Sequence, residues 1–275
     1  MDETQKVVRT AVVFVAVIGI GFGIYYLLSH RPAKHPASAQ KAPVETPALP
    51  VEKPGAEEEK EAFKLPPVEL DKSDDLLRRL AQELSSHPRL SGWLKSKDLI
   101  RKFVAAVDNI ANGQSPKSQV DFFIPPGKFE VAKRDGRLFI DPRNSERYNL
   151  VSDVFISLDT KSSLRLFRGL KPLFQEAYKD LGYPTEDFKD TLIRAIEELL
   201  RVPVVDGPIE LEKKVVSYKI VDEELEGLSP AQKQFFRMGP ENVQVIQTKL
   251  REIALGLGLT KDQLPRPWTY RPKSY

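Results

Sequence analysis

Hydrolysis of a glycosidic bond needs two carboxyl groups, one to protonate the leaving oxygen and one to attack or to activate water. In this sequence Glu176 with Asp153 or Asp159 is the pair that facing helices could bring together. Other chemistries have less material. The 275 residues include no cysteine and three histidines, His30, His35 and His87. Disulfides, thiolate metal sites and cysteine nucleophiles are thereby excluded, and His-rich metal centres or His acid/base schemes are disfavoured. No GxSxG, P-loop or HExxH spacing occurs. Gly19, Gly21 and Gly23 form a GxGxG inside an apolar run with no strand before it, which is the wrong context for a dinucleotide loop. No cofactor and no metal are expected. Carboxylates on amphipathic helices usually form a solvated face, which ranks catalysis below binding.

The side chains best suited to a binding surface are Trp93 in "SGWL", Arg101 with Asp108 and Asn109, and the corner from Arg237 to Asn242. Each also has a structural use. Trp93 can anchor packing, Asp108 and Asn109 can cap the loop through Gly113, and Arg237 can bind carbonyls at its own helix end. The corner lies in "LSPAQKQFFRMGPENVQVIQTKLREI", residues 228–253. Ser229, Pro230 and Gln232 spell a capping box with proline at the first helical position. Gly239 is read as a left-handed stop, a conformation that Asn also tolerates, and Pro240 prevents continuation. Val243, Ile246, Leu250, Ile253 and Leu257 then make one narrow apolar seam. Gln244 and Gln247 sit where a DNA-reading helix would carry amides, with Lys249 and Arg251 further along. The turn is short and no basic cluster surrounds it, so packing is the favoured use, with both glutamines at the surface.

These groups must be positioned by helices. Apolar residues recur at helical spacing in 74–84, 97–111, 162–181 (Pro172 inside) and 188–200, the last preceded by Thr185 and Asp187. "FEVAKRDGRLFID" (129–141) reads as a hairpin about Asp135-Gly136. "IELEKKVVSYKIV" (209–221) reads as extended, and the two can meet in a small sheet. The expected fold class is mainly α, within α+β: a helical globular domain with a small β-hairpin or sheet.

Ahead of the domain, a tail at 1–9 leads into residues 10–29, which carry no charge over 20 positions, enough to span about 30 Å as a transmembrane helix. The run exceeds the apolar core of a signal peptide, and the A-x-A at Ala37–Ala39 lies well beyond it, so an uncleaved anchor is expected. Gly19 and Gly23 form a GxxxG that could support a weak homodimer. Residues 30–70 hold eight prolines and an acidic run, and are read as a disordered linker. The globular domain is set at 71–258 and a flexible, basic, Pro-rich tail at 259–275. Net charge is +3, and residues 71–275 hold 34 Lys and Arg against 30 Asp and Glu, so no nucleic-acid partner is expected.

Several stretches resemble an uncharacterised bacterial family, domain-of-unknown-function family 3014. They are "LPPVELDKSDDLLRRL", "GWLKSKDLIRKFVAAVDNIANGQSP", "RYNLVSDVFISLD", "LKPLFQEAYKDLGYP", "VPVVDGPIEL" and the 228–253 segment, together about residues 65–255. The resemblance implies a bacterial envelope protein with an N-terminal membrane segment, a Pro-rich linker and this domain. It implies no activity and transfers no catalytic residue. The leading expectation is a non-catalytic domain on the inner membrane, single-pass, its C-terminal part outside the cytoplasm, binding an envelope protein or a cell-wall polymer. The alternatives are a carboxylate-dependent cell-wall hydrolase and a membrane-bound DNA-binding regulator acting through 229–253.

Overall fold

The described residues begin with a 3-10 turn at Leu70–Lys72 that leads into α1 (Asp74–Gln82), whose Asp74 side chain accepts from the backbone of Asp98 and Leu99 at 2.9 Å each. That contact fixes the entry to α3 (Leu99–Ala111), after the single-turn α2 (Leu90–Trp93). The computed structural model describes residues 68–82, 84–116 and 127–272, the side chain of Trp93 excepted. The expected membrane helix at 10–29, with Gly19 and Gly23, and the linker as far as residue 67 lie outside those residues. Among the described residues no helix is long and apolar enough to cross a membrane.

The helical stripes become one core. On α3, Leu99, Ile100, Phe103, Val104, Val107 and Ile110 are all buried, as their three- and four-residue spacing requires. They meet α5 (Thr160–Asp180) and α6 (Phe188–Leu200), which follow α4 (Asn149–Ile156). Phe103 stands 5.2 Å from Phe174 and 5.5 Å from Phe188, ring centre to ring centre, tilted and edge-on. Such geometries let the ring edges meet ring faces. α5 and α6 begin at Asp159 and Asp187, whose carboxylates accept from the backbone amides of Ser162 and Lys189. Pro172 sits inside α5 without ending it.

After α7 (Glu223–Glu226), the helix pair follows as read: α8 (Pro230–Phe236) and α9 (Pro240–Gly256). Both bonds of the Ser229–Gln232 capping box are formed, and Ser229 Oγ also donates to Glu198 Oε1 at 2.7 Å. The seam of α9, Val243, Ile246, Leu250, Ile253 and Leu257, is wholly buried across α4, α5 and α6.

Two small sheets complete the fold. β1 (Val131–Arg134) and β2 (Arg137–Ile140) join through Asp135 and Gly136, at φ 49° and 80°, the paired positive values of a type I′ turn. Past the two-residue β3 (Val204–Val205), β4 (Glu210–Lys213) pairs with β2, Leu138 opposite Leu211, and β5 (Tyr218–Ile220) returns along β4, giving an antiparallel order β1-β2-β4-β5. The stretch 209–221, expected as one extended piece, is thus two strands. Its break falls at Val215-Val216, where no Gly, Asn, Asp or Pro marks a turn.

The segment from residue 259, expected to be a flexible tail, instead closes the domain. Leu264 is buried, and Thr269–Tyr270 form β6, parallel to β3. Trp268 Nε1 donates to the Arg201 carbonyl at 3.2 Å, and Tyr270 donates its hydroxyl to Asp222 at 2.7 Å. That bond to a carboxylate pushes the Tyr270 phenol up to about 12. Pro265 and Pro267, read as marks of disorder, here hold the extended backbone that leads into an edge strand.

Leu250 borders a small apolar void of about 50 Å³ among Phe103, Phe174 and Ile253. Leu250→Ala would enlarge that void, so its cost should fall in the upper part of the ~2–5 kcal/mol range for such truncations. Denaturant melts check this, and a neutral result would remove Leu250 from the core.

Candidate functional site

The expected site residues fall into two separate groups. Arg101 and Asp108 lie two turns apart on α3 and both face the connection between α5 and α6. Arg101 pairs with Asp71 at 2.6 Å and with Asp180 at 3.3 Å, tying the first turn of the domain to the end of α5. The hydrogen bond to Asp71 is the main cause that raises the guanidinium above its ordinary value. Asp108 accepts from the Asn112 side chain at 3.1 Å; burial raises its carboxyl, opposed by a hydrogen bond from Tyr183. The Asn109 carbonyl accepts from the Gln114 backbone at 2.7 Å, and Gly113 turns the chain at φ 68°. These three residues fasten helix ends. Trp93 lies in α2, and its side chain is outside the described part.

The second group is the corner between α8 and α9. Asn242 is buried, and its Nδ2 lies 2.9 Å from the Met238 carbonyl, 3.0 Å from Asn149 Oδ1 and 3.2 Å from the Ser145 carbonyl. It locks the corner onto the turn before α4 and is withdrawn from any ligand. Gly239 has φ 85° and ψ 160°. That is not the left-handed helical region but an extended, positive-φ region that only glycine adopts readily. A Cβ there would also collide with the Cβ of Ser145. The ground for expecting Asn to be tolerated better than Val at 239, a left-handed conformation, is therefore removed. Arg237 is exposed and borders a cleft of about 540 Å³ together with Arg134, Ser145 and Glu241.

Glu176 and Asp159 do not assemble as a catalytic pair. Asp159 caps the N-terminus of α5 and Glu176 is exposed 17 residues along the same helix, a rise of about 25 Å. Paired glycosidase carboxyls stand within roughly 9.5 Å. Asp153 is exposed on α4, before α5 begins. Among the described residues no group of three or more His, Asp and Glu could hold a metal.

Gln247, expected at the surface, is buried. Its Nε2 donates to the carbonyls of Leu199 at 3.0 Å and Val202 at 2.8 Å, with Leu200 O at 3.5 Å. These carbonyls cluster where α6 ends; that of Leu199 also accepts from the Val202 backbone at 3.2 Å. The amide spacing that resembled base readout serves a neighbouring helix end.

One turn beyond Gln247, Arg251 was read only as a base further along a possible DNA-reading helix, although Gln244, Gln247 and Arg251 form a polar stripe at three- and four-residue steps. Arg251 borders a cleft of about 640 Å³ between α9, β3 and the closing segment, with Gln244, Leu255, Lys261 and Trp268 around it. Its Nη2 is buried without a hydrogen-bond partner. Desolvation lowers the guanidinium below its ordinary value. The carboxylate in the same cleft, Glu252, is already held by Lys249 at 2.9 Å and Thr160 at 2.9 Å. The arrangement is a cation in the wall of a mixed polar and apolar cleft, one of its nitrogens buried without an acceptor, and no counter-ion pairs with it among the described residues.

Denaturant melts distinguish these roles. Gln247→Ala should cost about 1–3 kcal/mol, because buried carbonyls lose their donor, whereas exposed Gln244→Ala should stay within ~0.5 kcal/mol. Gly239→Asn should destabilise nearly as much as Gly239→Val, since both add the colliding Cβ.

Comparison with curated proteins and with solved structures returned no match. A family model described as "Protein of unknown function (DUF3014)" matches residues 99–254, from the start of α3 almost to the end of α9. That stretch is more than half of the chain, and the protein belongs to this family.

Proposed function

We propose that the chain is a non-catalytic, single-pass domain of the bacterial envelope, tethered to the inner membrane with its folded part outside the cytoplasm. It binds a partner protein or a cell-wall polymer through an anionic group seated at Arg251. The observation that carries the binding reading is the state of that guanidinium: it borders a cleft, is partly desolvated, and its buried Nη2 has no acceptor among the described residues. Taking a cation out of water without a partner destabilises a fold. Groups held at such a cost concentrate at functional sites, where a ligand can supply the missing charge. The tether reading rests on the uncharged run 10–29 and the Pro-rich stretch after it. A weak homodimer through Gly19 and Gly23 belongs to the same reading.

Carboxylates occur on wall polymers and at protein C-termini, so the chemistry at Arg251 is shared by both partner classes. Crosslinked membranes separate the two: a protein partner is captured with the full chain, and a polymer partner instead co-sediments it with purified cell wall. Arg251→Gln should abolish whichever interaction is present. Trp268 reports the cleft directly, so its fluorescence should change with N-acetyl-dialanine and not with the C-terminal amide of the same peptide.

Removing the charge should also stabilise the fold. Arg251→Met is expected to raise unfolding free energy by about 0.5–2 kcal/mol, as when a functional residue held at a cost to stability is replaced. A loss of stability with unchanged binding would make Arg251 structural and overturn the site. Separately, a reporter fused after Tyr275 should be active outside the cytoplasm; a cytoplasmic signal overturns the topology.

A further inference from the structure

The register of the four-stranded sheet places two hairpin tips side by side. Leu138 pairs with Leu211 and Phe139 with Glu210, antiparallel. The Asp135-Gly136 turn, just before Arg137, therefore lies at the same end of the sheet as the loop that follows Lys213. Every residue from Lys133 to Arg137 and from Glu212 to Lys219 is exposed. At the summit, Lys214 N donates to Ser217 O at 2.9 Å, and the turn between them consists of Val215 and Val216, 99% and 94% exposed.

This turn breaks local rules without a packing gain. Valine favours strands, and turns are made by Gly, Asn, Asp, Pro and Ser. Two valines held in water at a tip gain nothing from the core, and such violations concentrate at functional sites. Tyr218 extends the apolar surface, with the ring of Phe129 6.1 Å away; both are exposed. Around the valines stand six cations, Lys133, Arg134, Arg137, Lys213, Lys214 and Lys219, against the acids Asp135, Glu210 and Glu212. Lys214 pairs with Glu212 and Arg137 with Glu210, which leaves a net charge of +3 over the tip.

We propose that this end of the sheet docks on a bilayer bearing anionic headgroups, Val215 and Val216 entering the interface and the surrounding lysines meeting the headgroups. An apolar tip ringed by cations suits such an interface, where buried apolar area and charge attraction add. The inference rests on the tether reading for its proximity: residues 30–70 would keep the domain beside the membrane it docks on. Docking would fix the orientation of the domain and with it the direction in which the Arg251 cleft faces.

The chain has no cysteine, so Val216→Cys carries a single environment-sensitive fluorophore. The full chain is reconstituted in vesicles of phosphatidylcholine alone, or of equal parts phosphatidylcholine and phosphatidylglycerol. Emission should shift to the blue only in the anionic vesicles and revert at high salt. Lys213→Gln and Lys219→Gln should each lower the docked-to-undocked ratio about fivefold. Identical emission in both vesicles overturns the proposal. So does a shift that needs added membrane proteins, which would make the tip a protein interface. Alkaline carbonate extraction tests the tether separately. A chain that resists extraction while the probe stays silent keeps the tether and loses the docking. A chain that extracts while its probe still responds to added anionic vesicles does the reverse.

Discussion

The buried amide of Gln247 is the contact on which the rest of the domain depends. The end of α6 lies under α9, away from water, and the chain's own turn bond there, Val202 N to Leu199 O at 3.2 Å, leaves the Val202 carbonyl to be served from α9. Leaving such groups without a donor costs more than an ordinary hydrogen bond returns. By donating to Leu199 and Val202, Gln247 fixes where α6 stops and how α9 crosses it. β3 starts two residues after Val202 and packs against α9, so the same bond places the strand that β6 needs. It also sets Arg251, one turn along, facing the cleft rather than the core.

The apolar pattern carried most of the fold. Stripes at helical spacing located α3, α5, α6 and α9, and Asp135-Gly136 located the first hairpin, because burial and positive φ leave direct marks on residue choice. The second hairpin was illegible: Val215-Val216 is a turn without turn residues. The end of the chain was misread for a related reason. Prolines at 265 and 267 signal equally a disordered tail and an extended segment, and only the partners offered by Arg201, Asp206 and Asp222 decide between them.

The site was less legible than the fold, because polar side chains are ambiguous until their neighbours are known. Asn242 and Gln247 carry the same chemistry in water as in a locked corner. Arg101, Asp108 and Asn109 looked like a surface cluster, and they fasten helix ends. Gly239 was recognised as a stop, yet the reason for glycine came from the far side of the molecule, where Ser145 leaves no room for a Cβ. Glu176 and Asp159 failed as a pair for a reason of simple length along one helix.

The parallel pairing of β3 with β6 has a consequence for how the domain comes into being. Val204 and Thr269 are partners separated by 65 residues of sequence, and contacts of that span form slowly because a long loop must close first. The cleft at Arg251, with Trp268 on its wall, thus depends on this long-range pairing. By the same token, release of this strand alone would dismantle the cleft while leaving the helices standing. The integrity of the cleft and global stability are then separable quantities, the first hanging on a few hydrogen bonds at one edge.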